Sequence, residues 1–135
     1  MANVTPKFYK KEITDALAAE TLKLALFTSA YTPSANTDEL YSSLSGEVSS
    51  VGTGYTTGGI AVTAGKTSGY VDTTNARLDA DDLTLASASF TTRYGVLYNT
   101  SNSKIRAIFD WGGDKVVTTG TISILWNSDG LLKVK

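Results

Sequence analysis

A chain of 135 residues, 41% of them hydrophobic, is long enough for one compact domain with its own core and too short to favour a second. It contains neither cysteine nor histidine, which removes disulfides, the soft metal ligands, the side chain that ordinarily titrates near neutrality and every Cys-His or Ser-His nucleophile. Twelve Lys plus Arg against thirteen Asp plus Glu leave a formal net charge of -1, so no global field steers the protein towards nucleic acid phosphates or anionic lipid.

The opening Met-Ala-Asn-Val-Thr-Pro-Lys-Phe-Tyr-Lys-Lys lacks the apolar stretch of a secretory signal, and no apolar run approaches the roughly 20 residues of a membrane helix. A soluble protein made in the cytoplasm is expected. Residues 1–20 read as an N-terminal arm ending in a short helix, because Ile13, Ala16 and Leu17 recur at helical spacing between Glu12 and Ala19. From Thr21 the period changes to two: Leu22, Leu24 and Leu26 share one face of a strand and Lys23, Ala25 and Phe27 the other, up to a turn at Tyr31-Thr32-Pro33-Ser34. Asn36 with Glu39 three residues on resembles a capping box, predicting a second helical turn through Leu40, Tyr41 and Leu44 that stops at Gly46. Five glycines among Ser and Thr between Gly46 and Gly59 predict an extended loop, mobile unless something packs on it.

Short strands are expected at 60–63, 76–78, 83–85, 90–99, 105–111, 121–126 and 131–134, separated by Ser, Thr, Gly, Asn and Asp. In the longest, Phe90, Thr92, Tyr94, Val96 and Tyr98 share a face, and that aromatic face is the expected core face. Asn99-Thr100-Ser101-Asn102-Ser103 and Asn127-Ser128-Asp129-Gly130 read as hairpin connections. The pattern implies a mainly β protein: an antiparallel β-sandwich or jelly-roll-like single domain over 21–135, with one or two short helices in its N-terminal half.

Few residues suggest chemistry. Asp79, Asp81 and Asp82 offer oxygens to a hard cation, but the glycine and later Glu of a calcium loop are missing, so a solvated turn is the expectation. Gly52-x-Gly54 and Gly58-Gly59 lack the strand, helix and Gly-Lys context of a phosphate loop. Asp110 and Asp114 flank Trp111, a pattern compatible with sugar hydrolysis or stacking but commoner in hairpins; Trp126, in alternation with Ile122 and Ile124, reads as core. Lys7, Lys10 and Lys11 interleave with Phe8 and Tyr9, so this segment can clasp a neighbour by burying aromatic area that a lone molecule leaves wet. The candidate interface residues are Lys7, Phe8, Tyr9 and Lys10, with Tyr55 added from the Gly/Thr-rich segment. No catalytic, metal or cofactor-binding residue is assigned.

Residue order adds a resemblance. The run from Leu24 through Thr28-Ser29-Ala30-Tyr31-Thr32-Pro33 to Gly52-Thr53-Gly54-Tyr55-Thr56-Thr57-Gly58-Gly59, then Thr92-Arg93-Tyr94-Gly95-Val96-Leu97-Tyr98 and Ile124-Leu125-Trp126-Asn127-Ser128-Asp129-Gly130, is similar to small virion proteins encoded beside the structural genes of tailed bacteriophages. The resemblance associates a His with the acidic turn after the proline, where this chain reads Asn36-Thr37-Asp38-Glu39-Leu40. It implies a non-enzymatic structural protein on the outer surface of the capsid: a decoration or cement subunit, oligomeric, with the major capsid protein as partner and no direct contact with nucleic acid or membrane. A head-to-tail connector or tail component is the alternative, and a carbohydrate-binding module the alternative from another class.

Overall fold

Pro6, at φ -59° and ψ 141°, supplies an extended residue immediately before the first helix, α1, which is Lys7–Ala18. The computed structural model describes residues 5–63, 65–126 and 130–134. Helix α1 begins five residues before the expected Glu12, so the arm is itself helical. Its length was hidden because its inward stripe is Lys10, Thr14 and Leu17, two of them polar. Hydrophobic periodicity sees only the third.

Among the described residues seven strands follow: β1 (Leu22–Phe27), β2 (Ile60–Val62), β3 (Thr67–Tyr70), β4 (Ala76–Asp79), β5 (Leu83–Asn99), β6 (Ile105–Ile124) and β7 (Leu132–Val134). They form a four-stranded sheet in the order β2-β1-β5-β6 and a three-stranded sheet in the order β3-β4-β7. The pairs β1 with β5, β5 with β6, β3 with β4 and β4 with β7 are all antiparallel, so the chain is mainly β and antiparallel as its alternation implies.

The chain divides into two compact units. One gathers the N-terminal helix, Val62–Asp82 and the C-terminal segment from Leu125; in it α1 packs on β3, β4 and β7. Strand β3, Thr-Ser-Gly-Tyr, carries no apolar alternation and is legible only through its partner β4, which pairs Thr67 with Asp79 and Tyr70 with Ala76. The turn between them is built on Asp72, whose carboxylate accepts from the backbone N–H groups of Thr74 and Asn75 and from both their side chains. The expected connection at Asn127-Ser128-Asp129 lies outside the described residues.

The other unit holds Thr21–Ala61 and Leu83–Ile124. Its central strand β1 is hydrogen-bonded along both edges, to β2 and β5, and has buried residues on both faces. Ala25 and Phe27 join Tyr31, Val96 and Tyr98 in one cluster, with Tyr41, Leu44, Tyr94, Ile105 and Ile108 packed around it, so the aromatic face of β5 is a core face. Its rings meet in favourable geometry: Tyr41 stacks on Tyr98 at 4.1 Å and 9°, and Tyr31 stands edge-on to Tyr94 at 5.6 Å.

Two expectations are corrected here. The capping-box helix is only a single 3-10 turn, Tyr41–Ser43. The backbone ahead of it is used elsewhere: Leu40 bridges to Lys104, Ile105 N–H donates to the Glu39 carbonyl and Tyr41 N–H to that of Ser103. The strand pairs expected at 83–85 and 90–99, and at 105–111 and 121–126, are two continuous strands interrupted by bulges. Opposite Arg93 alone, β6 inserts Trp111 to Asp114, with Gly112 at φ +84°; a second irregularity carries Ser87 at φ +53° and Thr119 at φ +44°.

The Gly/Thr-rich segment is packed, not merely extended. Val48 N–H donates to the Leu26 carbonyl and Thr28 N–H to that of Gly46, while Ser89 N–H donates to Thr53. Gly59 lies so close to β1 that a Cβ there would fall 2.2 Å from the Leu24 carbonyl oxygen. Such a contact requires glycine.

Candidate interaction surface

With Lys10, Thr14 and Leu17 turned inward, Phe8, 67% exposed, points to the opposite side of α1, Tyr9, 57% exposed, to its flank, and Ile13, 37% exposed, lies beside the buried stripe. This departs from ordinary helix amphipathicity, since the helix buries a lysine and a threonine beside Leu17 and leaves two aromatic rings in water. The inward anchors are polar but paired: Lys10 Nζ donates to the Thr74 carbonyl at 2.8 Å, and Thr14 shares a hydrogen bond with Ser68 Oγ at 2.7 Å. Strand β3 extends the outer face with Tyr70, which meets Phe8 edge-on at 6.5 Å. Lys7 Nζ sits 4.7 Å from the Tyr70 ring centre and 5.4 Å from that of Phe8, within cation-π range. Lys11 makes an ion pair with Asp15 at 2.9 Å one turn on.

Of the candidate interface residues, Lys7 and Phe8 share this surface with Tyr70, and Tyr9 is exposed on the flank of the same turn. Lys10 does not, because it is 8% exposed and engaged beneath the helix, and Tyr55 does not, because it is 2% exposed. Tyr70 is the addition. Nothing near Tyr70 in sequence marks it, since β3 alone brings it alongside residue 8.

Tyr55 belongs to a polar cluster around Glu47. The Glu47 carboxylate accepts from Tyr41 Oη at 2.6 Å, Tyr55 Oη at 2.7 Å and Gly58 N–H at 2.9 Å; Tyr55 Oη in turn accepts from Leu26 N–H, and Tyr98 Oη donates to the Gly58 carbonyl. A carboxylate so occupied ties the loops to the sheet and is not arranged as a general base. Burial and then the hydrogen bond to Glu47 push the Tyr41 and Tyr55 phenols well above their ordinary value of 10.0. A raised folded pKa stabilises the fold fully below the unfolded value and loses that contribution as pH rises through the folded one. The melting temperature is thus expected to be insensitive to these tyrosines up to about pH 10 and to fall above it, as read by calorimetry across an alkaline series. A melting temperature that held steady above that pH would contradict the buried cluster.

Comparison with protein-family models, with curated proteins and with solved structures finds no match to this chain.

The other residues singled out in the sequence are occupied locally. Asp79 accepts from Ala80 N–H, Asp82 accepts from Trp126 N–H, and the Asp81 carbonyl accepts from the Trp126 indole. Among the described residues no three His, Cys, Asp or Glu side chains converge to hold a metal ion. Trp126 is only half-buried and lies beyond the end of β6, so it is a cross-link to the 81–82 turn and not a core residue. Asp110 accepts from Arg93 Nε at 3.0 Å and from Gly112 N–H at 2.8 Å, and the guanidinium holds its carboxyl below the ordinary carboxylate range. The Trp111 indole lies against the bare backbone of Gly95, where an added Cβ would come within 2.6 Å of its ring. The Cζ2–Cη2 edge of the ring is thereby covered. Gly52 and Gly54 precede no helix among the described residues, which leaves them without a phosphate-binding context.

Proposed function

We propose that this chain is a non-enzymatic structural protein of a tailed-bacteriophage virion, binding the outer surface of the capsid as a decoration or cement subunit through the outer face of α1. The observation that carries the reading is the exposed start of the helix: Phe8 and Tyr9 stand in water, with Tyr70 edge-on to Phe8, while Lys10 and Thr14 are inside. Phe8 alone leaves on the order of 100–150 Å² exposed, and covering it contributes about 3 kcal/mol before the costs of association. Repeated over many copies, contacts of that size stabilise a shell by mass action, because the protein binds the assembled lattice and not its dissociated subunits. The lysines beside the rings add acceptor-seeking charge at the rim of the patch, where polar groups belong in an interface.

Cryo-electron microscopy of the particle from the virus that encodes the chain tests the reading. Hundreds of symmetric copies over the shell are expected. A single ring at the neck or tail would replace decoration with a connector or tail role, and absence from the particle would overturn the virion reading. In the same system the double substitution Phe8→Ala and Tyr9→Ala is expected to weaken particle binding at least tenfold while moving fold stability by no more than about 0.5 kcal/mol, as for other surface changes. Binding that survives both substitutions would remove α1 from the interface.

A further inference from the structure

The described residues include a surface pocket that answers the outer face of α1 in both size and charge. It is lined by Thr37, Asp38, Glu39, Leu40, Ser43 and Leu44 and encloses about 230 Å³. That is below the roughly 300–1,000 Å³ of small-molecule sites, and suits a single side chain. Its form follows from the local hydrogen bonds. Asp38 Oδ2 accepts from Tyr31 Oη at 2.6 Å and from Ser34 N–H at 2.8 Å, and the Glu39 and Leu40 backbone is pinned to the 104–105 segment. The floor is thereby rigid, with Leu40 and Leu44 half-buried and Glu39 exposed at the edge.

The pocket combines two leucines, Leu40 and Leu44, with the acidic Asp38 and Glu39 and the hydroxyls of Thr37 and Ser43. The knob on α1 is an aromatic ring, Phe8, with the Lys7 ammonium group 5.4 Å from its centre. The two surfaces are different patches of one sequence, so the contact closes into a dimer where it is reciprocal about a two-fold axis, and otherwise repeats head-to-tail and gives a ring where the rotation closes. We propose that the Phe8 knob of one copy seats in the Leu40–Leu44 pocket of a second copy, with Lys7 facing Glu39, and that this contact is how the protein oligomerises. The contact rests on reading the outer face of α1 as an interface. Measuring assembly without particles keeps its failure separate from a failure of capsid binding.

Analytical ultracentrifugation of the full chain from about 1 to 200 μM provides the test. The unsubstituted protein is expected to associate with increasing concentration, and Phe8→Ala or Glu39→Lys alone to weaken association at least tenfold, with circular dichroism unchanged. The decisive sample is the mixture. A Phe8→Ala chain keeps an intact pocket and a Glu39→Lys chain keeps an intact knob, so together they form one contact and are expected to give a dimer and nothing larger. In the double variant Lys7→Glu with Glu39→Lys the charges are exchanged, and association should recover relative to either single change. A protein that stays monomeric throughout the range, a mixture that stays monomeric, or association indifferent to Glu39→Lys would each overturn the proposal. If Glu39→Lys weakened particle binding in a chain that remained monomeric, the pocket would belong to the particle contact and the proposal would also fall.

Discussion

Replacing Gly59 with alanine is expected to lower the free energy of unfolding by on the order of 3–5 kcal/mol, a large part of what a domain of this size possesses. Gly59 holds φ +101°, and its added Cβ would lie 2.2 Å from the Leu24 carbonyl oxygen, 2.6 Å from its carbonyl carbon and 2.8 Å from Ala25 Cα. All three are backbone atoms of β1, the strand flanked by β2 and β5, so no flexible side chain can swing aside. Left-handed strain accounts for about 1–2 kcal/mol, and displacement of the loop from β1 for the remainder. Gly52 is the matched control. It also has positive φ, at +69°, but an added Cβ there meets nothing within 4 Å, so Gly52→Ala should show the strain alone. Urea midpoints for the two variants decide the matter: equal losses would mean that the approach to Leu24 is unimportant.

The second large effect is expected at Glu47. Truncation to alanine takes the acceptor from Tyr41, Tyr55 and Gly58 together, and Tyr55, 2% exposed, has little water to replace it. Hydrogen bonds to a charged acceptor contribute about 1.5–3 kcal/mol each and are not additive, so a loss of about 3–4 kcal/mol is expected for Glu47→Ala. Glu47→Gln retains an acceptor oxygen and should lose only about 1–2 kcal/mol. Near-ultraviolet circular dichroism should change with the alanine variant, because Tyr41 is held against Tyr98 partly through this carboxylate. If Ala and Gln variants unfolded at the same urea concentration, water would be filling the carboxylate position and the network would be dispensable.

The strongly periodic parts of this structure were legible from side chains alone. Strand β1 reads directly from alternating Leu22, Leu24 and Leu26, and β5 from Phe90 through Tyr98, because both put large apolar residues into cores. The failures have physical causes of equal clarity. The first half of α1 was hidden by an inward lysine and threonine whose partners, Thr74 and Ser68, lie more than fifty residues away. The helix after Asn36 was a false capping signal: Asp38 takes up Tyr31 and Ser34 instead, and the next backbone groups bond to the 103–105 segment. Strand β3 has almost no apolar content and exists because β4 pairs with it. The candidate surface was half-visible for the same reason. Phe8 and Tyr9 announce themselves in sequence, whereas Tyr70 reaches them only through tertiary structure, and Tyr55 looks like a surface aromatic in a Gly/Thr loop until Glu47 is placed beside it.

The interruptions in β6 bear on behaviour at high concentration. An uninterrupted outer strand of 20 residues would present a long row of amide groups able to template another chain, and copies crowded together would risk open-ended fibres. The insertion at Trp111 to Asp114 and the irregularity at Thr119 cut that row into short pieces, with Lys115 immediately after the first break. Growth by strand addition is thus hindered along this edge.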